Sequence, residues 1–162
     1  DGQLEGRKTH VSMHVGRRPY EPVDVELRTF YDRLLQALKR PEAHEGEWRL
    51  WNCRPAWSGN GTWDQFIVFS WEQDDRRLVA AVNYGPVQGQ CYVTLGLEGL
   101  AGRDFTLLDL LGGARYDRDG DGLAGNGLYL DMPPWGFHIF EMRERVTPKP
   151  HRAARAEAMA AR

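Results

Sequence analysis

Three groups of residues are of types that can do chemistry, and their spacing decides what each could do. The first lies in RYDRDGDGLAGNGL, residues 115–128, where Asp117, Asp119 and Asp121 fall two apart and Gly122 follows. These match the first, third, fifth and sixth positions of a calcium loop, in which carboxylate oxygens gather around a hard cation. The twelfth position is Leu128, where a bidentate Glu belongs, and no helical pattern flanks the run. A polar Asp/Gly turn between two strands is the reading the residues favour, with calcium kept as the alternative. The second group is Trp57 and Trp63 in the glycine-rich run RPAWSGNGTWD. Exposed indoles on a rigid scaffold can stack on a sugar ring, and buried ones simply roof a core. The third is the set of His10, His14, His44, His138 and His151, which show no ligand spacing and no nucleophile partner. There is no phosphate-binding glycine loop, nucleophile elbow or metallopeptidase motif. On its residues alone, the chain shows no enzyme and calls for no cofactor.

The elements that must position these groups are mostly strands. The stretch Gly127–Met142, GLYLDMPPWGFHIFEM, alternates Leu128, Leu130 and Met132 with Tyr129 and Asp131, the period of a half-buried strand. Pro133-Pro134 stops the ladder for want of N–H donors, Gly136 allows a turn, and Phe137–Met142 resumes. This predicts a closing β-hairpin with Trp135 at its tip, capping the core. Upstream, Glu47–Cys53 and Cys91–Leu97 alternate, Gln65–Trp71 and Leu78–Tyr84 read as central strands, and Asp104–Leu111 adds another. Roughly seven or eight short strands separated by turn residues predict a mainly β chain, an antiparallel sandwich of Greek-key type.

One helix precedes them. Asp24 suits the N-cap, Glu26 the first turn, and Pro41 bars continuation. Leu27, Phe30, Tyr31, Leu34, Leu35 and Leu38 form one apolar stripe built to lie against something large. Residues 1–23 are rich in Gly, Pro and charge, with one short strand expected over His10–Val15. Residues 144–162 read as a mobile tail.

At 162 residues and net charge −2, the chain has the length to bury a core without disulfides or metals. That charge balance argues against nucleic acid and anionic membrane as partners. Cys53 and Cys91 make no framework and are expected as free thiols. No apolar run reaches the roughly 20 residues of a membrane span, and no secretory h-region is present. A cytoplasmic location is the expectation, with secretion as the alternative. The chain opens in mid-pattern without a methionine, which suggests a piece of something longer.

The order of these parts resembles the C-terminal end of the alpha-amylase family of glycoside hydrolases, in which a (β/α)8 barrel is followed by an all-β domain C. Gly2-Gln3 with Glu5-Gly6 resembles the end of the eighth barrel strand, and VELRTFYDRLLQALK, residues 25–39, the last barrel helix. LVAAVNY, residues 78–84, resembles the strand ending in Val-Asn-aromatic. LLDLLGG, residues 107–113, resembles the Asp-Leu-Leu-x-Gly stretch, and Pro-Pro-Trp-Gly-Phe the family's last turn. The resemblance implies a barrel-derived segment at 1–23, the last barrel helix at 24–40 and domain C at 46–143. It implies an α-glucan substrate for the parent and the parent's own barrel as the partner of this chain. Gln3 and Glu5 would lie near the rim of the parent's site. The family's catalytic carboxylates come from barrel strands upstream of Asp1, so this chain alone is expected to be inactive, because retaining hydrolysis needs two carboxylates about 5–5.5 Å apart. Without the barrel, the helix stripe must be covered by the sandwich or by self-association.

Overall fold

The computed structural model describes residues 2–14 and 16–145; of the tail expected over 144–162, Glu144 and Arg145 end the last strand and the rest lies outside the described residues. Among the described residues nine strands form two antiparallel sheets, in agreement with the predicted sandwich. The larger sheet contains β1 (Glu47–Trp51), β3 (Phe66–Gln73), β4 (Arg76–Asn83), β9 (Phe137–Arg145), β6 (Asp104–Asp109) and β7 (Arg115–Asp119), in that order. The smaller contains β2 (Cys53–Arg54), β5 (Gly89–Val93) and β8 (Leu128–Met132). Three helices complete the described chain: α1 (Val25–Leu38), α2 (Pro41–Glu45) and α3 (Gly120–Gly125).

The core fills the space between the sheets. Val68, Val79, Ala81 and Phe140 of the large sheet meet Cys91, Val93, Leu128, Leu130 and Met132 of the small one. Each comes from the inward half of an alternating strand, the usual way a sandwich removes apolar surface from water. The turn Asp74-Asp75 joins β3 to β4 in register Gln73↔Arg76, with Asp74 in the left-handed region at φ 53°. Asp is among the non-glycine residues that tolerate this region.

Three expectations are corrected here. The closing hairpin is not a hairpin: β8 pairs with β5 in the small sheet, and β9 lies between β4 and β6 in the large one. Pro133-Pro134 therefore carries the chain from one sheet to the other. The prolines end the β8 ladder as predicted, but the buried amide of Asn83 redirects the chain. Its Nδ2 donates to the carbonyls of Val87, Met132 and Pro133, its Oδ1 accepts from Gly85 N–H, and its own N–H bonds Gly136 O. Trp135 stands 57% exposed at φ 57° rather than capping the core.

Second, Arg115–Leu128 is no simple turn. Its first half is β7, paired with β6, and its second half is α3, N-capped by Asp119. Gly127, at φ 83°, then brings the chain against the backbone of Val93, where a Cβ would collide. Third, the alternation at His10–His14 forms no strand among the described residues. The Glu21 carboxylate takes the N–H groups of Lys8 and Thr9 instead, and those hydrogen bonds hold its pKa below the ordinary value.

Candidate functional site

The feature that sets the chain's chemistry is the outer face of the large sheet, where α1 lies. As predicted, Asp24 caps α1, with Oδ1 accepting from Leu27 N–H at 3.0 Å. Phe30, Leu34 and Ala37 point at Ala80, Ile139 and Leu111, and Phe30 meets Phe137 edge-on at 5.0 Å. Arg33 ties the helix to the sheet by donating to Leu111 O at 2.8 Å. At the far end, Arg40 pairs with both Glu42 and Glu141. Glu42 is only 2% exposed, a burial that its guanidinium partner makes tolerable.

The helix covers only part of this face. Ala37 is buried, but Leu35 remains 42% exposed, so the predicted stripe is split between sheet and solvent. Beyond the helix, Trp48, Leu50 and Ile67 lie 53%, 59% and 44% exposed on β1 and β3. Phe69 and Trp71 beneath them meet edge-on at 5.1 Å, and Trp48 leans on Phe69 at 6.1 Å. This is a contiguous apolar shelf of the kind that marks an interaction surface.

A groove of about 540 Å³ separates α1 from the turn after β6 and is lined in part by Val25, Phe30, Asp109, Phe137 and His138. The Asp109 carboxylate is 3% exposed. It accepts from Leu111 N–H, Gly112 N–H and His138 Nδ1, the last at 2.9 Å. A carboxylate so supplied with donors can only accept, so His138 carries its proton on Nδ1. Among the described residues no Ser, Thr or Cys hydrogen-bonds this imidazole, and the pair acts as a clasp between β6 and β9. The sequence hid it because the partners are 29 residues apart.

The residues singled out from sequence are dispersed. Gln3 donates to the Tyr31 hydroxyl at 3.2 Å, and Glu5 pairs with Arg28 at 3.2 Å, which sets both against the first half of α1. Trp57 is 54% exposed, whereas Trp63 packs on the core between the sheets. No ring contact joins the two among the described residues. Asp117 accepts from Thr106 Oγ1 and pairs with Arg145 at 2.8 Å. Asp119 accepts from Gly122 N–H, and Asp121 from Gly102 N–H. Strand, cap and helix thus engage the three carboxylates separately. No group of three or more His, Cys, Asp or Glu side chains able to hold a metal occurs among the described residues.

Cys53 and Cys91 are free thiols. A hydrogen bond from Cys91 lowers the Cys53 thiol against the effect of burial, and the same bond together with burial pushes Cys91 up. No helix of the described residues is long and apolar enough to cross a membrane.

No protein-family model matches the chain, and no curated protein does. Solved structures do. Its structural neighbours are alpha-amylase family glycoside hydrolases. An alpha-amylase from Geobacillus thermoleovorans, solved with acarbose, matches with a TM-score of 0.53 at 15% identity, over 76% of this chain and 24% of that one. An Anoxybacillus alpha-amylase matches with a TM-score of 0.50 at 19% identity, over 77% and 24%. At these identities the likeness is one of fold. The chain spans about a quarter of the length of either neighbour.

Proposed function

We propose that this chain is the non-catalytic C-terminal β-sandwich of an alpha-amylase-like glycosidase or glucanotransferase acting on α-glucans. In this reading α1 is the last helix of a (β/α)8 barrel, and the shelf of Trp48, Leu50 and Ile67 beside it is where the rest of that barrel docks. The observation that carries the reading is this half-covered face. An amphipathic helix already lies on it, and the adjoining aromatic surface is too apolar to be left in water without a partner. The role is structural. The sandwich buries the outer side of the last barrel helix and holds it in place, while the reacting carboxylates come from barrel strands outside this sequence. Gln3 and Glu5, held against α1, are the parts of this chain that approach the rim of the parent's site.

An antibody against the sandwich, used on extracts of the source cells, tests the proposal. A polypeptide longer by a barrel of roughly 250 residues is the expected result. A band at the mass of 162 residues overturns it. The isolated chain is expected to bind a hydrophobic dye or to self-associate through the open shelf. A monodisperse monomer that binds no dye removes the case for a docking face.

A further inference from the structure

The two cysteines meet at the edge of the small sheet. The register sets Cys53 of β2 opposite Val93 of β5, so Cys91, two residues earlier, is its diagonal neighbour on the same face. Both side chains point inward, and Cys53 packs on the core to which Cys91 belongs. There the thiols share a hydrogen bond in which Cys91 is the donor, so Cys53 is held below its ordinary range and Cys91 is pushed up. Their access to solvent differs. Cys91 is fully buried in the middle strand of the sheet, whereas Cys53 is half-buried in an edge strand. Cys53 also lines an open cleft of about 580 Å³ with Trp51, Trp63, Asp64 and Phe66. Strand β2 consists of Cys53 and Arg54 alone. In the loop that follows, Gly59 and Gly61 stand where an added Cβ would meet nothing within 4 Å.

A thiol sealed in an apolar core is inert, whereas one that solvent reaches and that is hydrogen-bonded as thiolate is a nucleophile. Cys91 fits the first description and Cys53 the second. Diagonal positions on paired antiparallel strands stand about 7–8 Å apart, at the upper limit of about 7 Å between the Cα atoms of a disulfide. For the two sulfurs to join, β2 must draw toward β5. A two-residue edge strand that leads into a glycine-bearing loop can make that movement while β5 stays paired with β8. The cleft selects its reagent by polarity. Its walls are mostly indole and phenyl rings, and the carboxyl of Asp64 is the one charged group lining it, which favours a small neutral molecule over an anion. A structural metal is poorly served, because among the described residues no third His, Cys, Asp or Glu joins the thiols.

We propose that Cys53 and Cys91 are a hydroperoxide-responsive dithiol, in which Cys53 meets the oxidant in the cleft and Cys91 resolves it to a disulfide. The Cys53 thiolate attacks one oxygen of the hydroperoxide. An S–O bond forms, the O–O bond breaks, and the other oxygen leaves as an alcohol (or as water from hydrogen peroxide) with the proton the thiol gave up. The Cys91 sulfur then attacks the sulfenic sulfur of Cys53. An S–S bond forms, the S–O bond breaks, and hydroxide leaves with the Cys91 proton as water. The two thiols together lose two electrons, and one hydroperoxide is reduced. The site rests on β2, β5 and the cleft alone, and it stands whether or not the parent is a glycosidase.

The test exposes the folded, reduced 162-residue chain to a small excess of hydrogen peroxide and, separately, of cumene hydroperoxide. Its peptides are then read by mass spectrometry without reduction. The expected product is one cross-linked pair of peptides carrying Cys53 and Cys91, lighter by two hydrogen atoms and restored by dithiothreitol. In Cys91→Ser the reaction is expected to stop at Cys53, whose sulfenic acid dimedone then traps. In the unaltered folded chain, iodoacetamide is expected to label Cys53 at least about tenfold faster than Cys91. That measurement needs no variant, so it decides the matter even if Cys91→Ser fails to fold. Oxidation of Cys53 to sulfinic acid with no cross-link, or cross-links between chains only, would overturn the pair by removing Cys91 as the resolving thiol. Equal labelling of the two cysteines, or labelling of neither until urea is added, would overturn it by removing Cys53 as the reactive one.

Discussion

Outside the large sheet stand Trp48, Leu50 and Ile67, beside a helix. Outside the small sheet stand Gln90, Tyr92, Tyr129 and Asp131. Both faces come from alternating strands over one shared core. On the first, Trp48, Leu50, Ile67, Phe69 and Trp71 make the outward positions of β1 and β3 largely apolar, and polar groups gather further across the sheet, where Arg40 and Arg143 meet Glu141 and Asp117 meets Thr106 and Arg145. On the second, aromatic rings are interleaved with amides and a carboxylate that satisfy one another. A face of the first kind asks for a permanent neighbour, and one of the second kind can stand in water. The six-stranded and the three-stranded sheet thus share one core but differ in the chemistry of their outer faces.

The two sheets are fixed to each other by their shared core and, at the crossover, by the Asn83 amide. Asn83→Leu removes the partners of three carbonyls and of Gly85 N–H. We expect a loss of roughly 4 kcal/mol in urea unfolding, with a lowered midpoint. A loss under about 1 kcal/mol would mean that the crossover holds without it. On the large-sheet side, Ile139→Ala removes packing under α1 and should cost about 3 kcal/mol. If it costs nothing, the helix is not seated as described.

Glu141 sharpens the edge of that face. Burial raises its carboxyl, but hydrogen bonds from Arg143 and Arg40 outweigh this and hold it below the ordinary value. A depressed folded pKa contributes stability above the unfolded value, and that stability is lost as pH falls through the folded pKa. Glu141→Gln should therefore be less stable than the unaltered chain near neutral pH, by under about 1 kcal/mol given its partial exposure. The two proteins should converge in strong acid. Equal melting temperatures at all pH values would show that the arginine pairs add nothing. The smallest expected effect on folding is that of Leu50→Lys, within about 0.5 kcal/mol, because the side chain is 59% exposed. The same change should sharply lower dye binding by the isolated chain. A large fall in stability instead would mean that Leu50 is a core residue and the shelf is closed.

Much of the fold was legible because its causes are local. Asp24, Glu26 and Pro41 bound α1 through capping and a missing N–H, and the strands expected between Glu47 and Met142 are present, whereas the alternation that begins at His10 forms none among the described residues. The strand β7 was missed, since RYDRD carries so much charge that its pairing with β6 shows only in three dimensions. The candidate site was far less legible. The sugar-stacking reading fell on Trp57, which is exposed, and Trp63, which packs on the core, whereas the shared face of Tyr92, Tyr129 and Asp131 shows only when β5 and β8 are placed side by side.

By itself, then, the sequence determined where elements begin and end, which strand positions are apolar, and that the two cysteines form no framework. Those properties follow from periodicity, caps and prolines within a few residues of one another. Only the tertiary structure decided that β8 and β9 belong to different sheets, that Asp109 holds His138, and that α1 covers half of its face and leaves a shelf. Each of these depends on partners tens of residues apart. A proline pair dictates where a ladder must stop, but which sheet the chain enters next is set by the buried amide of Asn83 waiting for its carbonyls.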